Sequence, residues 1–330
     1  MTDIDTTESQ VRAFVTRQLG TDTARVANLQ RIGVGRSREN WIFDLVGPDG
    51  ECEPLILRRD PDGGLVETDR RTEFAILTAL EKSDVPAPHA RWLDANGTGF
   101  GRPSLIMRRE HGVCDYGVVN GDRPLAERVE LAQAFCELLA AVHGVDWAAL
   151  GLGDVLDDPG PEAARAELEN WERILRKDQL EAYPELDLAI DRLRATAPRS
   201  SRTVLVHADF KPGNILLDDH GVVALLDWEL AHLGDPIEDL GWVTQPLRVR
   251  EHLIDGAWSA DDLVRHYART TGTDVDPLAL DWWRTFSTFK TAVMQVSGLK
   301  AFLETRSDEP FRPNRRVLST LLATLPGETS

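Results

Sequence analysis

The feature that most restricts the fold is a change of hydrophobic periodicity near residue 111. Before it, short alternating apolar runs at 24–32, 40–46 and 54–59 are joined by the turn stretches GVGRSR and GPDGE. That pattern predicts an antiparallel meander. Two further runs, at 86–92 and 103–108, bring the sheet to about five strands. One helix, at 69–82, carries Phe74, Leu77 and Leu80 near one face. Ahead of the sheet, Thr7 and Gln10 have capping-box spacing for a short helix ending near Gly20. After HGVCDYG the spacing becomes helical at 123–143, 161–176, 186–196, 259–270, 277–302 and 313–325, interrupted only by a β insertion at 203–227. The expectation is an α+β chain of two lobes, 1–111 and 112–330, hinged near 107–112.

Composition removes several partner classes. The 330 residues carry a formal charge of −18, with only five lysines. So acidic a surface repels nucleic acid and anionic membranes. Cys52, Cys114 and Cys136 are odd in number and have no metal-site spacing, which fits free thiols in a reducing compartment. The opening MTDIDTTESQ has no apolar leader, and the apolar run at 131–142 is too short to span a bilayer. A cytoplasmic protein is expected.

Chemistry concentrates in VLVHADFKPGN, residues 204–214. An apolar strand stops at His207 and is followed by Asp209, Lys211, a Pro-Gly break and Asn214. A second apolar pair, 215–217 and the run VVALLDW, is joined by DDHG and ends on Asp227. The hairpin returns Asp227 to the end that holds Asp209 and Asn214. An acid able to accept a proton would then lie beside an amide and a carboxylate, oxygen donors of the kind Mg²⁺ takes.

The first third supplies complementary parts. IGVGRSRENW sets Gly33, Gly35 and Ser37 in a turn whose backbone amides could approach phosphate. LILRR ends a strand on Arg58, whose guanidinium can hold phosphate oxygens in two places. Glu73 on the next helix could pair with it.

HADFKPGN resembles the catalytic loop of protein kinases, and the Gly-rich hairpin, cation-ended strand, acidic helix and terminal Asp227 are similar to the rest of that signature. The run LDWELAHLGDPIEDLGW departs from protein kinases. It resembles the aminoglycoside phosphotransferase and choline kinase family of small-molecule kinases, nearest the branch found with acyl-CoA dehydrogenases. The resemblance implies a protein-kinase-like fold, with a small antiparallel sheet and one helix in the first lobe and a larger helical second lobe. It implies Asp209 as catalytic base, Lys211 near the γ-phosphate, and Asn214 and Asp227 as Mg²⁺ ligands. It also implies that the backbone of Arg108, Arg109 and Glu110 meets the base of ATP (or GTP), with Met107, Ile56 and Leu216 flanking it. His207 would brace the loop. Arg58 stands where most kinases have lysine.

Only seven residues separate Asp227 from Asp235, which with Pro236 and Glu238 predicts a capped helix start. That leaves no room for a peptide-docking segment, so the expected acceptor is a small-molecule hydroxyl. Two charge sets could recognise it. Lys290, Lys300, Arg312, Arg315 and Arg316 would suit a hydroxyacyl-CoA, whereas Glu251, Asp255, Asp261 and Asp262 would suit an aminoglycoside. Trp282, Trp283, Phe286 and Phe289 have the spacing of core residues and could also line the acceptor cleft. Rival readings are a metal-dependent hydrolase built on His207 and Asp209, and a nucleotide-binding pseudokinase. The first lacks a second histidine cluster, and the second has no use for a base.

Overall fold

The computed structural model describes residues 3–32, 39–60, 69–304 and 312–327. Five strands, β1 (Arg25–Ile32), β2 (Glu39–Val46), β3 (Cys52–Arg59), β4 (Ala90–Asp94) and β5 (Ser104–Arg108), form one antiparallel sheet in the order β1-β2-β3-β5-β4. Alternation separates its two faces. Trp41, Phe43, Leu45, Leu55, Leu57 and Ile106 turn one way and are buried against Val11, Phe14 and Val15 of α1 (Asp3–Leu19). Ile56, Leu105 and Met107 turn the other way, toward α2 (Arg70–Leu80), whose Ile76, Leu77 and Leu80 are buried with them. The sheet therefore carries on its two faces the two helices expected ahead of it and at 69–82.

The capping box expected at Thr7 is not formed. α1 has already begun at Asp3, and Thr7 is buried mid-helix, where its hydroxyl and the Gln10 amide oxygen accept from Arg59 at 3.5 and 3.2 Å. A threonine and glutamine that read as a cap serve a buried arginine instead. The expected end near Gly20 is present, with that glycine in the left-handed region (φ 66°).

Beyond the hinge, α3 (Leu125–His143), α4 (Ala163–Asp178), α5 (Pro184–Ala195), α6 (Ile237–Thr244), α7 (Val249–His252), α8 (Ala260–Thr271), α9 (Pro277–Leu303) and α10 (Arg315–Thr324) build a helical body. Within the β insertion, β7 (Ile215–Asp218) and β8 (Gly221–Leu225) form the expected hairpin. β6 (Val204–Val206) pairs instead with β9 (His232–Gly234), three residues too short for a periodicity signal. α9 is the axis of this body. Its Trp282, Trp283, Phe286 and Phe289 are all buried, in a cluster with Leu168, Trp171 and Leu175 of α4 and Leu186 and Ile190 of α5. These aromatics are core, so they line no acceptor cleft. No helix among the described residues is long and apolar enough to cross a membrane.

Candidate active site

The site begins where β6 ends. Its three residues are buried, so the chain leaves the core at His207 with its polar groups still enclosed. One carboxylate satisfies them. Asp239, fully buried on α6, accepts from the His207 and Ala208 amides at 2.9 Å each, and from His143 Nε2 at 3.1 Å. Burial alone would push the Asp239 carboxyl up. The hydrogen bond and charge of His143, the nearby His207 and the backbone donor outweigh it and hold the group below its ordinary value. His207 donates from Nε2 to the Leu226 carbonyl at 3.0 Å, and its Nδ1 receives the Asp209 amide at 3.3 Å. Burial pushes its pKa down despite the carboxylates nearby, so the ring is a neutral brace. With both nitrogens engaged and its ring buried, His207 is not disposed as a hydrolase metal ligand.

Beyond the turn, the Asp209 carboxylate receives Lys211 Nζ at 2.5 Å and Asn214 Nδ2 at 3.1 Å, and the same amide nitrogen donates to the Asp209 carbonyl at 3.0 Å. Burial works against the charge on Lys211, but the Asp209 carboxylate more than offsets it and raises the ammonium pKa. The Asn214 carbonyl accepts the Leu226 amide at 2.8 Å, which fixes Asp227 beside the loop. Asp227 sits in the left-handed region (φ 69°), an uncommon place for a non-glycine residue and one often found at functional sites.

Arg58 crosses from the sheet to meet it. Its Nη2 reaches Asp227 Oδ1 at 2.6 Å and its Nη1 reaches Glu73 Oε1 at 3.2 Å. Burial opposes its charge, and the two carboxylates overcome this and raise its pKa. Glu73 is anchored in turn by Arg70, which also pairs with Asp60 at 2.6 Å. Arg58, Glu73, Asp209, Lys211, Asn214 and Asp227 are thus brought together from β3, α2 and the insertion. Because the Asn214 amide nitrogen is spent on Asp209, its oxygen is the atom left to ligate. With the Asp227 carboxylate it makes a hard oxygen donor set, so the residues fit Mg²⁺.

The segment after β5 is pinned to the same insertion. The amides of Val113 and Leu217 donate to each other's carbonyls at 2.8 and 3.1 Å. Gly112 has φ 131°, and a Cβ there would lie 2.5 Å from the Leu217 carbonyl oxygen and 2.9 Å from Leu216 Cγ. Leu216 therefore closes on the hinge, while Ile56 and Met107 sit opposite each other on the sheet face. The amides of Arg108 and Arg109 are committed to the His89 and Pro54 carbonyls at 2.9 Å each, so Glu110 offers the first amide past the sheet. The Arg109 side chain pairs with Asp44 at 3.0 Å and the exposed Arg108 lies 3.7 Å from Glu110. Gly33, Gly35 and Ser37 lie outside the described residues.

This geometry can be set beside known proteins. The profile of the phosphotransferase enzyme family matches residues 28–279, most of the chain. The chain belongs to the phosphotransferase enzyme family. Acyl-CoA dehydrogenase family member 10 of Mus musculus is 29% identical over 233 residues, 68% of this chain and 21% of that protein. Acyl-CoA dehydrogenase family member 11 of Rattus norvegicus is 27% identical over 291 residues, 83% of this chain and 36% of that protein. The chain thus spans about a fifth to a third of these relatives' length. Among solved structures, a Ralstonia eutropha JMP134 protein assigned to the aminoglycoside phosphotransferases has a TM-score of 0.70 at 24% identity, covering 96% of this chain and 94% of that one. Macrolide 2′-phosphotransferase type I has a TM-score of 0.61 at 18% identity, covering 99% of each. The fold is kinase-like.

In this phosphotransferase-family chain two members of each charge set expected for the acceptor are engaged elsewhere, while Arg312, Arg315, Arg316, Asp255 and Asp261 are exposed. Lys290 is buried and donates to the Ala208 carbonyl at 2.8 Å. Lys300 is held by Asp178 at 3.1 Å and the Lys177 carbonyl at 2.9 Å. Glu251 pairs with Arg248 at 2.6 Å, and Asp262 closes a capping box with Ser259. Long side chains on a helix read as surface cations whenever the face they occupy cannot be told from sequence.

Two residues escaped the sequence reading. Asp239 carried a usable signal, as a carboxylate among the apolar positions of a helix buried nearly all round, which requires donors. Tyr116 carried none. Its ring lies on the 207–214 loop so closely that a Cβ on Gly213 would stand 2.3 Å from Tyr116 Cζ, while the residue remains 56% exposed at the loop's edge.

Proposed function

We propose that this chain transfers the γ-phosphoryl group of ATP (or GTP) to a hydroxyl of a small molecule. The observation that carries the reading is the convergence of Asp209, Asn214 and Asp227 at one end of the hairpin, with Arg58 bridging Asp227 to Glu73. Asp209 would accept the proton of the acceptor hydroxyl, as its carboxylate is held by Lys211 and Asn214. Asn214 and Asp227 would hold Mg²⁺. When bound, the ion supplies charge neutralisation for the transferring phosphoryl group. Arg58 would turn its second guanidinium edge to phosphate, and Lys211 would lie beside the transferred group. Ile56, Met107 and Leu216 would enclose the base, with the Glu110 amide as the hinge donor.

A small acceptor is supported by the stretch between Asp227 and Asp235. A short 3₁₀ turn at Trp228–Leu230 and β9, paired with β6, use it up, leaving no segment to dock a peptide. Nucleotide use is supported by related folds: one neighbour is a streptomycin–ATP ternary complex and another a complex with AMP-PNP and hygromycin B. Those acceptors make aminoglycoside-like alcohols the first class to test. The acyl-CoA dehydrogenase relatives support a second, hydroxyacyl-CoA esters. The reading includes a cytoplasmic setting and no nucleic-acid or membrane partner.

Asp209→Ala tests it. Calorimetric affinity for MgATP is expected within a few-fold of the parent, while turnover falls roughly 10²–10⁴-fold, the usual worth of a general base. Near-parental turnover would remove Asp209 from the role, and a pseudokinase would bind MgATP and transfer nothing in either protein.

A further inference from the structure

Ala208, the residue before the proposed base, lies in the left-handed region (φ 65°), where an L residue with a Cβ is strained. It is enclosed, and both of its backbone polar groups are held by distant side chains. Asp239 of α6 takes its amide at 2.9 Å, and Lys290 of α9 donates from Nζ to its carbonyl at 2.8 Å. A strained turn persists only when its surroundings fix it. Asp239 also anchors His207, so the carbonyl tether is the half of the clamp specific to Ala208.

Lys290 is itself held in place. Its side chain is 2% exposed, with Nζ 5.2 Å from the Trp171 ring centroid and 5.1 Å from that of Trp242. Glu238 Oε1, buried and without a hydrogen-bond partner, lies 3.6 Å from the ammonium. The other oxygen of Glu238 accepts from His232 Nε2 at 3.1 Å, and Glu167 Oε1 stands 3.7 Å from the same nitrogen. His232 Nδ1 donates to the Leu230 carbonyl at 2.9 Å. Both ring nitrogens therefore point their hydrogens at acceptors. Burial opposes the charge, yet Glu167 and Glu238 outweigh it and push the pKa up to about 10. Two carboxylates thus meet two cations, and Lys290 is aimed at a single carbonyl.

We propose that Lys290 is a positioning residue for the catalytic base: by holding the Ala208 carbonyl it keeps the left-handed turn that presents the Asp209 carboxylate. The proposal rests on the phosphotransferase reading of Asp209, and its test separates the two. In Lys290→Met, hydrogen exchange of the segment 207–211 is expected to rise at least tenfold. kcat should fall ten- to a hundredfold, with the KM for MgATP within twofold. In the double variant with Ala208→Gly, glycine takes the positive φ without strain, so much of the lost kcat should return. A role in packing alone would loosen α4 and α9 and leave 207–211 protected, and glycine would rescue nothing. That pattern, or a folded Lys290→Met with parental kcat, overturns the proposal. Should Lys290→Met not fold, Glu238→Gln frees the ammonium from its carboxylate and should raise exchange over 207–211, and unchanged exchange there overturns the proposal equally. If the parent transfers phosphate to no acceptor while Lys290→Met still unlocks 207–211, the functional reading fails and the positioning inference stands.

Discussion

Asp239→Asn is the most demanding perturbation of the site, because one buried carboxylate serves three donors. Asparagine keeps an oxygen for the Ala208 amide. It places an amide N–H₂ where Oδ2 now receives the His207 amide at 2.9 Å and His143 at 3.1 Å. Two charge-assisted bonds are lost and their donors are left enclosed. At roughly 1.5–3 kcal/mol for each such bond, the cost is about 3–6 kcal/mol. At about 2.1 cal/mol/K per residue, unfolding 330 residues carries an entropy of about 0.7 kcal/mol/K, so Tm should fall by about 4–9 °C. Turnover should fall about a hundredfold even well below Tm, because the displaced turn carries Asp209. The pH dependence has a definite sign. The folded Asp239 pKa lies below the ordinary 3.8, so its contribution is present above about that pH and is lost as pH falls through the folded value. The variant should therefore show a flatter loss of stability on that acid limb. Scanning fluorimetry at pH 7 and in acid, with turnover at 25 °C, reads all three. A Tm within 1 °C of the parent together with unchanged turnover would refute this account of the loop anchor.

Other consequences follow from the same contacts. Asp227→Ala should lose Mg²⁺-dependent nucleotide affinity and free Arg58 from one of its two carboxylates, and equal MgATP affinity by calorimetry would contradict it. Gly112→Ala should lower stability by about 1–3 kcal/mol and weaken nucleotide binding, since φ 131° and a Cβ 2.5 Å from the Leu217 oxygen forbid the native hinge; a parental urea midpoint would count against it. Burial pushes His252 down to about 3, so the unfolded chain takes up a proton that the folded one refuses, and stability is lost as pH falls from about 6.5 toward 3. His252→Phe should flatten that loss, and an unchanged pH profile of unfolding would exclude the histidine as its source.

The sheet and the long helices were legible because their periodicities run over whole elements. The run 40–46 alternates as a strand buried on one face does, and β2 spans Glu39–Val46. The residues of the HADFKPGN loop and Asp227 were legible for a different reason: polar groups at the end of a buried strand require partners, and the hairpin supplies them. What escaped depends on tertiary neighbours that local sequence does not encode. Thr7 reads as a cap until Arg59 is seen reaching it from β3. Lys290 reads as a surface cation because nothing in its own turn of helix reveals that Trp171 and Trp242 enclose it. Three-residue strands such as β6 and β9 carry too few residues for alternation to register.

The central claim is phosphoryl transfer from a nucleotide to a small-molecule hydroxyl. Phosphorus NMR on the purified chain with MgATP tests it most directly, run against aminoglycosides, simple alcohols and hydroxyacyl-CoA esters. At least one class is expected to yield a new phosphomonoester resonance growing in step with ADP, in equal amounts, and Asp209→Ala to slow both signals together by roughly 10²–10⁴-fold. No phosphomonoester with any class, or one that grows as fast in Asp209→Ala as in the parent, would contradict it.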